Sequence, residues 1–268
     1  MVRVAIISDI HANLEACEAV LADIDRHGID DIISLGDNVG YGPNPVEVLL
    51  RLHERDIMTL EGNHDLAVIN PKSFANASGY AASALEWTRE RLSNHVSEDM
   101  GFQEILGIYF GAPAYSVLHD NHNVLLVHGS PGKHKVRFNY LLAPEDFLAP
   151  KKYMKKMRCN ICFFGHTHRQ IMWEVDNEGV SLIEYEVDEA LEYSDAELKN
   201  LYLFLNPGSV GQPRDNNPDA AYLIYEKIDD RNIITFKRVA YDVNTTIEKI
   251  YQEDLLSNML GDRLIRGA

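Results

Sequence analysis

Aspartate, asparagine and histidine gather in five short clusters along the chain. They are Asp9-Ile10-His11, Gly36-Asp37, Gly62-Asn63-His64-Asp65, His128-Gly129 and Gly165-His166-Thr167-His168. Carboxylate and imidazole are the ligands that suit divalent transition metals. One cluster alone is a weak sign. Five in this order point to a two-metal site, because most of them follow a run of apolar, β-prone residues. Asp9 and His11 lie two residues apart, and on extended backbone such residues face the same way, so both can reach one metal. His27, His53, His95, His119, His122 and His134 have no comparable motif around them and stay outside the site.

The apolar runs read as buried parallel strands, each polar cluster standing at a C-terminal end, where open α/β sheets bind ligands. Val2 to Ser8 predicts the first strand. Leu14, Cys17, Leu21 and Ile24 then recur at helical spacing, with Gly28 as the stop. Asp31 to Leu35 and Ile57 to Leu60 predict further strands, separated by a helix from Pro45 to Glu54. This alternation implies a parallel sheet with right-handed crossovers. Phe74 to Asn94 predicts a helix with Leu85, Trp87 and Leu92 buried. Val124 to Val127 resumes the strands, and Pro144 to Met157 predicts another helix. The basic run from Lys151 to Arg158 reads as charge suited to that helix's C-terminus rather than as a phosphate-binding patch. Beyond His168 the pattern changes to strand alternation. Gln170 to Val175 and Ser181 to Val187 flank a hairpin turn at Asp176 to Gly179. Leu201 to Leu205, Ala221 to Tyr225 and Ile233 to Val239 continue an antiparallel-looking sheet. Asn244 or Thr245 caps a last helix through about Met259. Glycines 36, 62, 129 and 165 adjoin the clusters where the chain is expected to turn sharply.

The series D-x-H, G-D, G-N-H-D, V-H-G and G-H-x-H resembles the calcineurin-like metallophosphoesterase superfamily from Val2 to about Tyr241. Ser8 to Glu15 and Asn206 to Arg214 resemble its bacterial and archaeal stand-alone branch, related to diadenosine tetraphosphatases. The resemblance implies an α/β fold: a four-layer α-β-β-α sandwich of two mixed sheets. We expect one domain over residues 1–268, with a helical insertion around 74–95 and a C-terminal helix around 245–259. It implies two divalent metals, about 3.5–4 Å apart, that share a ligand and a bridging hydroxide. By resemblance Asp9, His11, Asp37 and His168 hold the first metal, and Asp37, Asn63, His128 and His166 the second. His64 is then the general acid, for which an imidazole pKa is suited. A residue that only positions phosphate is the simpler alternative for His64. The ligand set admits manganese, iron, zinc, nickel or cobalt, with manganese favoured.

Two positions depart from the phosphoprotein phosphatase pattern. Tyr41 stands where those enzymes, and the diadenosine tetraphosphatases, carry a phosphate-clamping arginine. Gly40 stands where phosphoprotein phosphatases have an aspartate that orients the acid histidine. Arg214 is the candidate replacement contact, with an ordinary loop arginine as the alternative. The expected activity is hydrolysis of small phosphomonoesters or phosphodiesters, nucleotides included, with Asn63, His64 and Arg214 binding substrate. Diadenosine polyphosphate hydrolysis, protein dephosphorylation and a catalytically silent interaction module are the alternatives. The last is disfavoured because every ligand position is kept.

Composition narrows the rest. The 268 residues are 46% hydrophobic, enough for a sizeable core, and the formal charge of −16 argues against general nucleic-acid binding. No apolar stretch approaches the roughly 20 residues of a membrane helix, and the first residues, read as a strand, lead us to expect no signal peptide. Three cysteines make no disulfide framework, and Cys159 and Cys162 lead into a strand as core residues. We expect a cytoplasmic protein with no membrane partner; oligomeric state is unspecified by the sequence.

Overall fold

The two faces of β1 (Val2–Ile7) meet different partners. Val4 and Ile6 pack with Leu126, Phe163, Leu205 and Phe236, whereas Ala5 and Ile7 pack with Cys17, Val20, Leu21 and Ile24. A strand buried on both sides belongs to the inside of a layered fold. The structure, a computed structural model, describes residues 2–70, 72, 79–113, 115–118, 124–132 and 138–268; for 115–118 it describes the backbone alone.

Among the described residues each of two sheets has six strands. The first runs β3 (Met58–Thr59), β2 (Asp31–Ser34), β1, β11 (Ala220–Ile228), β12 (Arg231–Val239) and β9 (Ala190–Ser194). The first three are mutually parallel and the others join antiparallel. The second sheet runs β4 (Tyr115–Leu118), β5 (Val124–Val127), β6 (Ile161–Phe163), β10 (Tyr202–Pro207), β7 (Gln170–Val175) and β8 (Val180–Ile183). Here β5, β6 and β10 are parallel and the rest antiparallel. Inward-facing residues of both sheets form one apolar layer. The outer face of the first sheet is covered by α1 (Leu14–Arg26) and α2 (Pro45–Glu54), that of the second by α6 (Leu148–Met157). This is the α-β-β-α sandwich of two mixed sheets.

Asn13 starts α1 by accepting the amide of Ala16 at 3.1 Å, and Gly28 follows its end at φ +64°. The short α3 (Asn63–Ile69) leads to α4 (Tyr80–Glu98), where Leu85, Trp87 and Leu92 are buried as expected. Residues 74–78 of that expected helix lie outside the described residues. A further helix, α5 (Phe102–Phe110), has no sequence-based counterpart above.

Three expectations are corrected. The strand predicted to reach Val187 stops at Ile183, because a turn closed by Glu186 and Glu189 carries the chain to β9 in the other sheet. The strands after His168 do not form one antiparallel sheet. β10 inserts between β6 and β7, whereas β11 and β12 extend the first sheet. The last helix is capped by Asp242, whose carboxylate accepts the Thr245 amide at 3.1 Å. It is also two helices, α7 (Val243–Gln252) and α8 (Asn258–Asp262). The chain breaks between them so that Leu256, Leu260 and Leu264 can bury against Trp87 and Tyr41.

Candidate metal centre

All five clusters lie just beyond C-terminal ends of parallel strands, after β1, β2 and β3 of one sheet and β5 and β6 of the other. The β1–β2 ladder continues past both strands: Asp9 N donates to Gly36 O at 3.0 Å and His11 N to Asp37 O at 2.9 Å. Asp9 and His11 do come together, with Asp9 Oδ1 and His11 Nε2 at 3.9 Å. Extended alternation is not the cause. Asp9, His11, Asp37, His166 and His168 all have φ between +49° and +68°, so the ligand residues themselves take the sharp turns. Such left-handed non-glycine residues gather at sites that the surrounding fold over-determines. Gly62 serves close approach instead, since a Cβ there would lie 2.1 Å from Asp37 Oδ1.

Two ligand groups result. Donor atoms of Asp9, His11, Asp37 and His168 lie within 4.8 Å of one another, and so do those of Asp37, His128 and His166. Asp37 belongs to both. Asn63 joins the second group, its Oδ1 lying 3.1 Å from His128 Nε2. Backbone carbonyls fix which imidazole nitrogen is free, because a carbonyl only accepts. Nδ1 donates to Val39 O from His11 (3.2 Å), to Leu35 O from His128 (3.1 Å) and to Gln212 O from His168 (2.7 Å). Their Nε2 atoms therefore face the centre. His166 is reversed, donating from Nε2 to Phe138 O at 3.1 Å, which leaves Nδ1 inward. Outer bonds of this kind orient histidine ligands.

The electrostatics call for a cation. Asp9 Oδ2 accepts from Ser8 Oγ at 2.6 Å and His166 N at 3.0 Å, but Oδ1 is buried and accepts no hydrogen bond among the described residues. Burial pushes the Asp9 carboxyl up to about 6. Burial would raise Asp37 too, but His128 and His64 beside it hold it far below the usual carboxylate range. Burial holds His11 and His168 well below the ordinary imidazole value and His166 at about 3, so all three keep free lone pairs. His128 is the exception: against burial, Asp37 and Asp9 raise it to about 9. Its Nε2 lies 3.3 Å from Asp37 Oδ2 and 3.1 Å from Asn63 Oδ1. A divalent cation held by these groups would supply the positive charge that this protonation supplies. The donor set thus fits divalent cations.

Asp65, Asn206 and Ser209 support this floor and are not among the sequence-based candidates. Asp65 accepts the amides of Asp37, Asn38, Val39 and Gly62 at 2.8–3.3 Å. Asn206 Nδ2 donates to Gly165 O at 2.8 Å, and Ser209 Oγ to Asp9 O at 2.7 Å. Their motifs were visible, but not the contacts between distant loops.

A cavity of about 350 Å³ opens over the centre, lined by Asn63, His64, Tyr41, Phe138, Tyr140 and Arg214 among others. His64 N donates to Asp37 Oδ1 at 2.7 Å. The His64 ring packs on Tyr41 at 4.4 Å and edge-on to His11 at 4.8 Å. Burial lowers His64 to about 4. A Cβ on Gly40 would lie 2.6 Å from His64 Nδ1, so no aspartate fits there. Arg214 does reach the cavity. Its guanidinium lies 5.8 Å from the centroid of the Tyr41 ring and donates to Gln212 Oε1 at 2.9 Å. Its Nε is buried without a hydrogen-bond partner among the described residues. Cys159 and Cys162 are buried free thiols, as expected of core residues, and lie outside these groups.

The model of the calcineurin-like phosphoesterase superfamily domain matches residues 2–229. An uncharacterized protein of Methanocaldococcus jannaschii is 35% identical over 267 residues, 98% of each chain. A metallophosphoesterase from Sphaerobacter thermophilus superposes with a TM-score of 0.76 over 100% of both chains, at 32% identity. A hypothetical protein from Pyrococcus horikoshii OT3 shares the fold at 18% identity, with a TM-score of 0.71 over 100% of this chain and 99% of its own. The chain belongs to the calcineurin-like phosphoesterase superfamily.

Proposed function

We propose that this member of the superfamily is a cytoplasmic, single-domain hydrolase of small phosphomonoesters or phosphodiesters, nucleotides included, that works with two divalent cations, manganese favoured. The observation that carries the reading is Asp37, one carboxylate common to two convergent ligand groups. Asp9, His11, Asp37 and His168 would hold one ion; Asp37, Asn63, His128 and His166 the other. Ions held there supply Lewis acidity toward phosphoryl oxygens and a nucleophile at neutral pH.

The chain's own residues do the rest. Arg214 lines the cavity, and its guanidinium binds a phosphoryl oxygen of the substrate. Asn63 and His64 line the same wall. With a pKa near 4 in the free site, His64 is neutral and donates one N–H to the bound phosphate. The negative charge of bound substrate raises that pKa, which is what a proton-donating role toward the leaving oxygen needs. A cavity of about 350 Å³ suits a small ligand better than a folded phosphoprotein.

The test loads metal-depleted protein with manganese, iron, zinc, nickel or cobalt in turn. Bound metal is counted, and turnover of bis-(p-nitrophenyl) phosphate, p-nitrophenyl phosphate and a phosphopeptide is compared. Two ions per chain and a small ester favoured in kcat/KM are expected. A phosphopeptide as good as the best small ester would move the protein to the protein-phosphatase branch. Two bound ions without turnover on any ester would favour an interaction module.

A further inference from the structure

A second cavity, of about 300 Å³, backs onto the catalytic one. Phe138 and Tyr140 line the catalytic cavity, while the alternating residues Asn139 and Leu141 line the second. The two are thus separated by one width of chain. The far side of the second cavity is α6, which presents Lys152, Tyr153 and Lys156; Ser130, two residues past His128, closes its near side.

The charge in this place runs against the rest of the molecule. Residues 148 to 158 hold five of the 25 lysines and arginines and none of the 41 acidic residues. Asp146 also lines the cleft, where its carboxylate accepts the amides of Leu142 and Ala143 at 2.9 and 2.8 Å. Elsewhere Lys227, Lys237 and Lys249 are paired with Asp195, Asp188 and Glu15. Lys152 and Lys156 form no ion pair among the described residues. Suitability for a helix C-terminus covers Lys156, in the last turn of α6, but not Lys152, one turn earlier. Two cations on successive turns of one helix face, with a hydroxyl and an amide opposite, make a receptor for a phosphate-sized anion.

We propose that this cleft binds a second phosphate on the substrate, so that the preferred esters are nucleotides carrying a phosphate besides the one hydrolysed. The proposal rests on the phosphoesterase reading for its link to catalysis, but not for the binding itself. The probes are adenosine 3′,5′-bisphosphate and AMP. Each is titrated into metal-free protein and also used to inhibit bis-(p-nitrophenyl) phosphate hydrolysis by manganese-loaded protein. The bisphosphate should bind about 10-fold more tightly than AMP, as two partly exposed charge contacts allow. In a Lys152→Ala/Lys156→Ala double variant that advantage should vanish, while AMP binding and turnover of the small diester stay unchanged. Lys155→Ala, exposed but outside the cleft, should leave the advantage intact. A wild-type protein that does not distinguish the two nucleotides, or a double variant that still does, overturns the proposal. Failure to hydrolyse any ester would overturn the catalytic reading instead, and the metal-free titration would still decide the cleft.

Discussion

The floor of the catalytic cavity is held by backbone, and its wall by side chains. On the floor, four imidazoles donate to main-chain carbonyls and Asp65 gathers four amides, so the ligand geometry is set by how the strand ends are tied together. On the wall, Tyr41 leans on His11 and His64, Arg214 lies over Tyr41, and Tyr140 stacks on His166 at 4.5 Å. Gln212 Oε1 receives both Arg214 and Arg263. A backbone-held floor tolerates little change without losing the site. A wall of side-chain contacts can be rebuilt around another substrate while the floor keeps its chemistry. Variants on either side should therefore differ in kind as well as in size.

The largest loss is expected at Asp37, the residue that both ligand groups share. Asp37→Ala should bind fewer than two manganese ions and lose turnover by on the order of 10⁴-fold or more, since electrostatic stabilisation and the nucleophile go together. Metal analysis beside kcat checks this. A variant that holds two ions and turns over normally would remove Asp37 from the bridging position. His64→Ala, at the boundary of floor and wall, should keep its ions yet lose about 10²–10⁴-fold in kcat. The deficit should be smaller for nitrophenyl than for alkyl leaving groups. An equal deficit for both would leave His64 with phosphate positioning alone.

Asp65→Asn probes the floor from outside the ligand groups. One carboxylate oxygen becomes an amide N–H that faces backbone donors, so the loop joining Asp37 to Val39 loses acceptors. Metal affinity should fall by about 10–100-fold, the range for residues that orient ligands. Thermal stability should fall with it, even in metal-free protein. Unchanged affinity measured by competition with a chelator would show that the ligands are held without this clamp.

The contrast between floor and wall also explains what could be read from sequence. Floor residues stand at strand ends, where an apolar run followed by Asp or His fixes both the element and its edge; hence Asp9, Asp37, His128 and His166 were found together. Even there the local reason was wrong for Asp9 and His11, which meet through left-handed turns and not through strand alternation. The wall depends on contacts between distant loops. Tyr41 looked like a lost arginine. Only the fold shows that Arg214 comes from beyond β10 to the same place, and that Gly40 is small because His64 occupies the space. The split of the last helix escaped for the same reason: burial of Leu256 and Leu260 overrode a continuous helical pattern.

Arg214→Ala should lower kcat/KM by roughly 10–100-fold for p-nitrophenyl phosphate and less for the diester. A charge-assisted contact removed from a partly buried site weighs more against a dianion than against a monoanion. Bound metal should not change. Equal losses on both esters would show that Arg214 does not sense phosphate charge.

The smallest effect is expected one contact further out. Arg263 never lines the cavity; it touches Gln212 Oε1 at 3.3 Å, where Arg214 also donates at 2.9 Å. Burial and the neighbouring Arg214 charge lower the Arg263 pKa, so the two guanidinium groups repel each other across that oxygen. Removing the outer one relieves repulsion but leaves Arg214 less constrained. The two effects oppose, and Tyr41 still bears on Arg214 from the other side. Arg263→Met should thus raise KM for p-nitrophenyl phosphate only about 2–5-fold, as expected for an indirect change worth less than 1 kcal/mol. Both kcat and metal content should stay at wild-type values. A fall in kcat with KM unchanged would instead tie the C-terminal segment to the floor, and the division between a backbone-held floor and a side-chain wall would no longer describe this site.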